Sequence, residues 1–168
     1  MMRFFKNGWV HCTSFVCLAL MAAIPSVFFW PVDVLTVRDD DGKVVLCTAL
    51  VPGCSFTTLY IHSVQLSPVI DEFFVQNELI WLWHSRVQGH NAGLPTTRPE
   101  RGRVYLSDPW VIFEGTIASF AEYAQRVGND RFGQNLLRIG SGPWQPLYKT
   151  QTNKRLHLAA SRLAMYRL

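Results

Sequence analysis

The densest group of chemically competent side chains lies in residues 60–72, where His62, Ser63, Asp71 and Glu72 fall close together. A histidine, a serine and a carboxylate are the parts of a serine hydrolase, in which the imidazole takes the proton of the serine hydroxyl. On a strand, however, adjacent residues such as His62 and Ser63 point to opposite faces. No Gly-x-Ser-x-Gly turn surrounds the serine either. We therefore predict no catalytic residue and a non-enzymatic protein.

The same region contains side chains of the types that bind metal ions. His62, His84 and His90 are suitable ligands, as are Asp71 and Glu72. No two of them have a spacing such as His-Glu-x-x-His, which places two imidazoles on one face of a helix. Histidines that hydrogen-bond within the fold explain the pattern better. No metal and no cofactor is predicted.

Four cysteines fall into two pairs of different character. Cys12 and Cys17 lie in an apolar run near the N-terminus, where a thiol behaves as a small apolar group. Cys47 and Cys54 flank a turn and could form a disulfide in an oxidising compartment. The spacing alone does not show whether their Cα atoms approach within about 7 Å, so both the bonded and the free state stay open.

The elements that would hold these residues begin after an apolar N-terminal run. Residues 8–30 contain no Asp, Glu, Lys or Arg, and about 20 apolar residues suffice for a helix across a membrane. Arg3 and Lys6 precede the run and acidic residues follow it, which by the positive-inside tendency keeps the N-terminus in the cytoplasm. We predict a cytoplasmic N-terminus over residues 1–8 and a transmembrane signal anchor over residues 9–30.

Two alternatives to an uncleaved anchor are weaker on the residues. A cleaved signal peptide needs small residues at its cleavage site, and residues 21–25 supply only a poor version. A lipoprotein needs small residues before its cysteine, whereas Phe15 and Val16 precede Cys17. The anchored reading makes the chain a single-pass membrane protein whose remaining residues lie outside the cytoplasm.

Charge is distributed unevenly along the chain. The formal net charge is +4, but the body between Pro31 and Tyr148 carries nine basic and twelve acidic side chains. No basic stripe interleaved with aromatic residues runs through this body, so a nucleic-acid partner is not predicted. The C-terminal tail over residues 159–168 is basic, and it is either a solvated terminus or a contact for anionic lipid or a partner.

The body, residues 31–158, is predicted to be a small antiparallel β-sandwich or barrel-like domain. Short segments rich in β-branched and aromatic residues alternate with turn residues roughly every 8–12 positions. The Asp-rich turn over 39–42 lacks the remaining acids of a calcium loop and is read as a plain turn. Residues 117–127 suit a helix or a strand, and 158–168 have helical spacing. The predicted strands are 32–38, 43–47, 56–62, 69–76, 79–84, 104–106, 110–113, 136–139 and 155–158.

Two motifs carry a resemblance to a known family. The first is Phe-x-x-x-Tyr-Ile-His-Ser-Val-x-x-Ser-Pro-Val-x-x-Glu-Phe, from Phe56 to Phe73, and the second is Ala-Gly-Leu-Pro, from Ala92 to Pro95. Together they resemble a bacterial family of uncharacterised function encoded beside TAXI-type tripartite (TRAP) transporters. The resemblance extends over about residues 34–158, with weaker matches at 110–112 and 126–128. The residues that it marks as candidates for binding a partner or ligand are His62, Ser63, Val64, Gln65, Ser67, Pro68, Glu72, Ala92, Gly93, Leu94 and Pro95.

The resemblance implies a membrane-anchored accessory protein of such a transporter. It would dock the TAXI substrate-binding protein or the TRAP permease on the periplasmic side. The chain departs from the family pattern at Gln65, where an acid is usual, and at Asn91, where a glycine is usual. Asparagine tolerates a left-handed backbone, so the turn at 91 survives the change. The alternatives are a periplasmic small-ligand-binding or enzymatic domain and an envelope-stability protein without a transporter.

Overall fold

The structure, a computed structural model, describes residues 31–51, 53–88 and 101–164. Within these ranges the chain forms eleven strands and one short helix. In β4, for example, more and less buried side chains alternate, as on a strand with one face toward the core. In chain order the elements are β1 (Pro31–Asp39), β2 (Val44–Leu50), β3 (Ser55–Ile61), β4 (Pro68–Gln76), β5 (Leu79–Val87), β6 (Arg101–Ser107), β7 (Trp110–Phe120), β8 (Glu122–Arg126), β9 (Leu136–Ile139), β10 (Gln145–Pro146), α1 (Leu147–Thr150) and β11 (Arg155–Ala164).

The mainly β class predicted from the sequence is confirmed, and each predicted strand is present. Residues 117–127 are strand and not helix, because they complete β7 and form β8. The helical spacing over residues 158–164 is wrong as an indicator of structure, since these residues belong to β11, and residues 165–168 lie outside the described ranges. Strand pairing thus overrides the local spacing of apolar residues in both segments.

The strands form two sheets. One sheet has four strands in the order β2-β1-β11-β8, and the other has seven in the order β10-β9-β3-β4-β5-β7-β6. Every pairing with a described register is antiparallel. Contacts group Asp33–Arg162 into one unit, which contains all the features discussed below, and assign Met1–Val32 and Leu163–Leu168 to a second.

Tight turns fix the register of two hairpins. In the β1–β2 turn, Asp39 N–H donates to Lys43 O at 3.0 Å, Lys43 N–H donates to the Asp39 carboxylate at 2.9 Å, and Gly42 takes a left-handed φ of 77°. In the β4–β5 turn, Asn77 and Glu78 both have positive φ, 54° and 60°. Two left-handed residues match the twist of a two-residue hairpin. The turn predicted over 39–42 is confirmed, and so is the two-residue gap between the predicted strands 69–76 and 79–84.

Both sheets contribute to one apolar core. Phe56 of β3 and Phe73 of β4 are fully buried and stack with ring centroids 4.9 Å apart. Tyr123 of β8, in the other sheet, lies with its ring centroid 4.8 Å from that of Phe73. Leu35 of β1 and Leu156 of β11 complete the contact from the four-stranded sheet. Burial of such side chains, at about 25 cal/mol per Å² of apolar surface, holds the sheets together.

The predicted transmembrane anchor over residues 9–30 lies outside the described residues. Within the described ranges, no helix is long and apolar enough to cross a membrane. The first six residues of the predicted tail, 159–164, belong to β11.

Candidate functional site

The connection between β3 and β4, residues 62–67, is called the motif loop because it contains most of the first motif. Its backbone is closed by two hydrogen bonds: His62 N–H donates to Ser67 O at 2.9 Å, and Leu66 N–H donates to His62 O at 2.8 Å. The backbone N–H groups of Val64 and Gln65 face Nδ1 of His62 at 3.3 and 3.4 Å. The loop is therefore held from within by its own histidine.

These contacts decide what His62 can do. A backbone amide can only donate, so Nδ1 of His62 is an acceptor and the neutral ring carries its proton on Nε2. Ser63 is exposed and makes no hydrogen bond to the imidazole within the described part of the chain. A serine nucleophile activated by this histidine would need that contact.

The motif loop presents two apolar side chains to solvent. Val64 is 72% exposed and Leu66 is 66% exposed. Leu66 is also held in the left-handed region at φ 55°, where a side chain with a Cβ is strained. Two buried polar atoms lie next to these side chains in the sequence, Oε1 of Gln65 and Oγ of Ser67. Neither has a hydrogen-bond partner among the described residues.

The predicted candidate residues that follow the motif loop in the sequence are not all grouped with it in the structure. Pro68 is the first residue of β4 and pairs with Ile61. Glu72 is four residues further along β4, so it lies about 13 Å from Pro68 at 3.3 Å per residue. Its neighbour Asp71 points to the opposite face of the sheet, because side chains alternate along a strand. Residues 92–95, the second motif, lie outside the described ranges.

Glu72 belongs to a row of polar side chains across five strands of the seven-stranded sheet. Ser55 Oγ donates to Oε1 of Glu72 at 2.9 Å, and Nδ1 of His84 lies 3.7 Å from Oε2. His84 pairs in register with Glu114, whose carboxylate accepts a 2.7 Å hydrogen bond from Nε of Arg103. That bond lowers the pKa of Glu114. Cross-strand pairs of this kind stabilise a solvent-facing sheet surface.

Asp71 faces the core and is almost fully buried. Ser85 Oγ donates to its carboxylate at 2.6 Å. Burial raises the pKa of Asp71 to about 6, and the hydrogen bond from Ser85 opposes part of that rise. Burial and the charge of Asp71 together raise the pKa of Tyr60 and Tyr123 well above their ordinary range. A carboxylate in this position costs stability when it is ionised.

Beside the motif loop lies a cavity of about 350 Å³, called here the loop cavity. It is walled by the end of β3 and the motif loop on one side and by the β8–β9 connection on the other. Ile61 N–H donates to Gly133 O at 2.7 Å and joins the two walls. A Cβ on Gly128 would overlap the carbonyl oxygen of Phe132, so only glycine permits this close approach.

The asparagines of the loop cavity come from the β8–β9 connection and, with Asn153, from the segment before β11. Asn129 Oδ1 accepts from the backbone N–H of Arg131 and of Phe132, both at 2.9 Å. Asn135 Oδ1 accepts from Gly128 N–H at 2.7 Å. The two asparagines thus shape the connection by satisfying backbone donors that the strands leave free.

No sequence motif marks the asparagines of this cavity as candidates. Each is an ordinary loop residue in the sequence, and only the fold brings them beside His62. The sequence signal that does point to this cavity is the weaker family match at 126–128. Its three residues, Arg126, Val127 and Gly128, all line the cavity.

The two cysteines offered as a disulfide are not joined in the structure. Cys47 lies exposed on β2, with its sulfur 3.9 Å from the hydroxyl oxygen of Thr36. Cys54 precedes β3, in the other sheet, and its sulfur lies 3.5 Å from Ser55 O. Both are free thiols. Within the ranges that the structure covers, no three His, Cys, Asp or Glu side chains are grouped to hold a metal ion.

The fold and the site define a class: a small domain of two antiparallel sheets with a structured loop and a shallow cavity at one end. The chain matches the family model described as "Domain of unknown function (DUF1850)" over residues 56–142. The protein belongs to this family. The match begins in β3, includes the motif loop and both walls of the loop cavity, and ends after β9. No curated protein and no solved structure matches the chain.

Proposed function

We propose that the protein is a membrane-anchored, non-enzymatic accessory protein of a TAXI-type TRAP solute transporter. It docks the substrate-binding protein or the permease on the periplasmic side of a bacterial inner membrane. Membership of a domain family of unknown function agrees with the resemblance that suggests this role, and it supplies no mechanism. The observation that carries the proposal is the pair of apolar side chains, Val64 and Leu66, exposed on a loop that is closed by hydrogen bonds.

A docking role explains features of the motif loop that folding alone does not require. Exposed apolar side chains gain free energy when a partner covers them, at about 25 cal/mol per Å². A loop held in one conformation loses little entropy on binding, so more of that gain appears as affinity. The internal hydrogen bonds of His62 supply this preorganisation, and the same bonds occupy the nitrogen that a serine nucleophile would need.

The test is co-purification of the tagged full-length protein from native membranes, with mass spectrometry of the recovered proteins. Wild type should recover the permease or the substrate-binding protein of a TRAP transporter. Val64→Asp and Leu66→Asp should each reduce the recovery at least about fivefold, because a buried carboxylate at the contact costs more than 1 kcal/mol.

Val51→Asp is the matched control for these variants. Val51 is 68% exposed and lies in the β2–β3 connection, outside the motif loop. Its replacement should leave recovery unchanged. Recovery of neither transporter component by wild type, or equal loss in all three variants, would contradict the docking proposal.

The membrane topology is a separate part of the proposal. Fusions of alkaline phosphatase and of green fluorescent protein to the C-terminus report opposite sides of the membrane. We expect an active phosphatase and a dark fluorescent protein. The reverse pair of results would place the domain in the cytoplasm and rule out periplasmic docking.

A small-ligand-binding domain is the second candidate function. The observation in its favour is the loop cavity, with its volume of about 350 Å³ and its polar wall. Sites for small ligands usually have volumes of about 300–1,000 Å³. Ligand binding and docking are compatible, because the cavity and the exposed apolar side chains lie on different parts of the motif loop region.

A further inference from the structure

The loop cavity is lined by groups that donate hydrogen bonds and by no carboxylate. Arg126 brings a guanidinium, while His62 and Asn135 bring a ring and an amide. Asp130 belongs to the same β8–β9 connection, but it is not one of the lining residues. A lining with a cation and without an acid favours an anionic ligand over a cationic one.

Asn135 is the most specific of these groups. It is only 2% exposed, yet it lines the cavity. Gly128 N–H donates to its Oδ1, and this bond fixes the orientation of the amide, so that Nδ2 is the remaining donor. Because Asn135 lines the cavity, this amide group can donate a hydrogen bond to a ligand there.

His62 and Arg126 add donors from opposite walls. Nδ1 of His62 faces the backbone of the motif loop, which leaves the Nε2–H group on the other side of the ring. Arg126 is exposed at the end of β8 and forms no ion pair with another described residue. Charge-assisted hydrogen bonds from a guanidinium to a carboxylate are about twice as strong as neutral ones.

Beside the polar Ser63, Asn129 and Asn153, the lining includes aromatic and apolar side chains. Tyr60 lies at the end of β3, and Phe132, which is 47% exposed, lies on the opposite wall. The volume of about 350 Å³ is at the lower end for ligand sites. We propose that the loop cavity binds a small organic monocarboxylate with an apolar body, its carboxylate held by Arg126, Asn135 and His62. This inference goes beyond the docking function and does not depend on it.

The test is isothermal titration of the full-length protein in detergent, with a matching detergent blank. The probes are acetate, hexanoate and phenylacetate, together with phenylacetamide as the uncharged counterpart of the last. We expect phenylacetate to bind with a Kd below about 1 mM and phenylacetamide to bind at least about tenfold more weakly, because the charged hydrogen bonds are lost. The amide also reports partition of the apolar body into detergent.

Two substitutions in the cavity and one control locate the site. Asn135→Asp keeps the acceptor for Gly128 N–H and replaces the amide donor by a negative charge. Arg126→Gln removes the cation from an exposed position. Each should weaken phenylacetate binding at least about tenfold. Arg101→Gln is the matched control, since Arg101 is on β6, four strands from β3 and thus about 19 Å away in the sheet.

The outcomes separate the site from the docking role. Binding by Leu66→Asp with the affinity of wild type would show that the carboxylate site is independent of docking. If none of the three carboxylates binds at about 20 mM, where millimolar affinity would register, the inference is wrong. It is also wrong if phenylacetamide binds as well as phenylacetate, or if Arg126→Gln and Arg101→Gln bind alike. Arg126→Gln keeps the test decisive should Asn135→Asp fail to fold.

Discussion

The buried carboxylate of Asp71 makes a quantitative prediction about stability and pH. Its pKa is raised from 3.8 to about 6, chiefly by burial. The folded state therefore binds the proton more tightly than the unfolded state, and stability falls as the pH rises from about 4 to about 6. A rise of about two pKa units corresponds to about 3 kcal/mol at neutral pH, since each unit is worth 1.36 kcal/mol. Asp71→Asn removes the ionisation and keeps an acceptor for Ser85 Oγ.

The measurement is urea unfolding of wild type and Asp71→Asn at about pH 4 and about pH 7.5, followed by tryptophan fluorescence. The free energy of unfolding of the variant, relative to wild type, should rise by about 2 kcal/mol between the two pH values. Asp130→Asn, at an exposed position, is the control and should show a difference of less than about 0.5 kcal/mol. An equal relative stability of Asp71→Asn at both pH values would refute the argument from burial.

Three further changes test other parts of the fold. Hydrogen bonds to Glu122 and Asp40 raise the pKa of His157. The contribution of these bonds to stability is therefore present at low pH and is lost as the pH rises through the raised pKa. His157→Gln should lower the Tm at about pH 6 and leave it unchanged at about pH 9. Phe73→Ala, at a fully buried position, should lower the free energy of unfolding by about 3–5 kcal/mol in a urea titration. Gly128→Ala should disrupt the β8–β9 connection, because the added Cβ overlaps a backbone carbonyl, and faster amide hydrogen exchange in residues 128–135 would report the change.

Most of the β structure could be predicted because strand and turn signals are local. The positions of β3 and β9 follow from β-branched and apolar residues, and the Asn77-Glu78 turn follows from its residue types. The end of β7 could not be predicted from local spacing alone. Its Ser119 and Phe120 are strand because β5 pairs with them, a contact between segments about forty residues apart in the chain. The same reason applies to β11, whose strand character depends on its neighbours in the four-stranded sheet.

The candidate site could be predicted only in part. The motif loop was found because its residues are contiguous and match a family pattern. Glu72 was grouped with that loop by sequence distance, although the rise along β4 carries it about 13 Å away. The loop cavity combines β3, the β8–β9 connection and Asn153. No short stretch of sequence contains all three, so no local sequence pattern predicts the cavity.

Leu66 combines a left-handed backbone conformation with an exposed apolar side chain. An L-residue with a side chain loses about 1 kcal/mol in the left-handed region, whereas glycine or asparagine occupies it with less strain. Replacing Leu66 by asparagine would therefore ease the backbone without removing any buried contact, since the side chain lies mostly in solvent. A chain shaped by stability alone would have no reason to keep leucine here. Under the docking proposal, a partner that covers the Leu66 side chain would offset this strain.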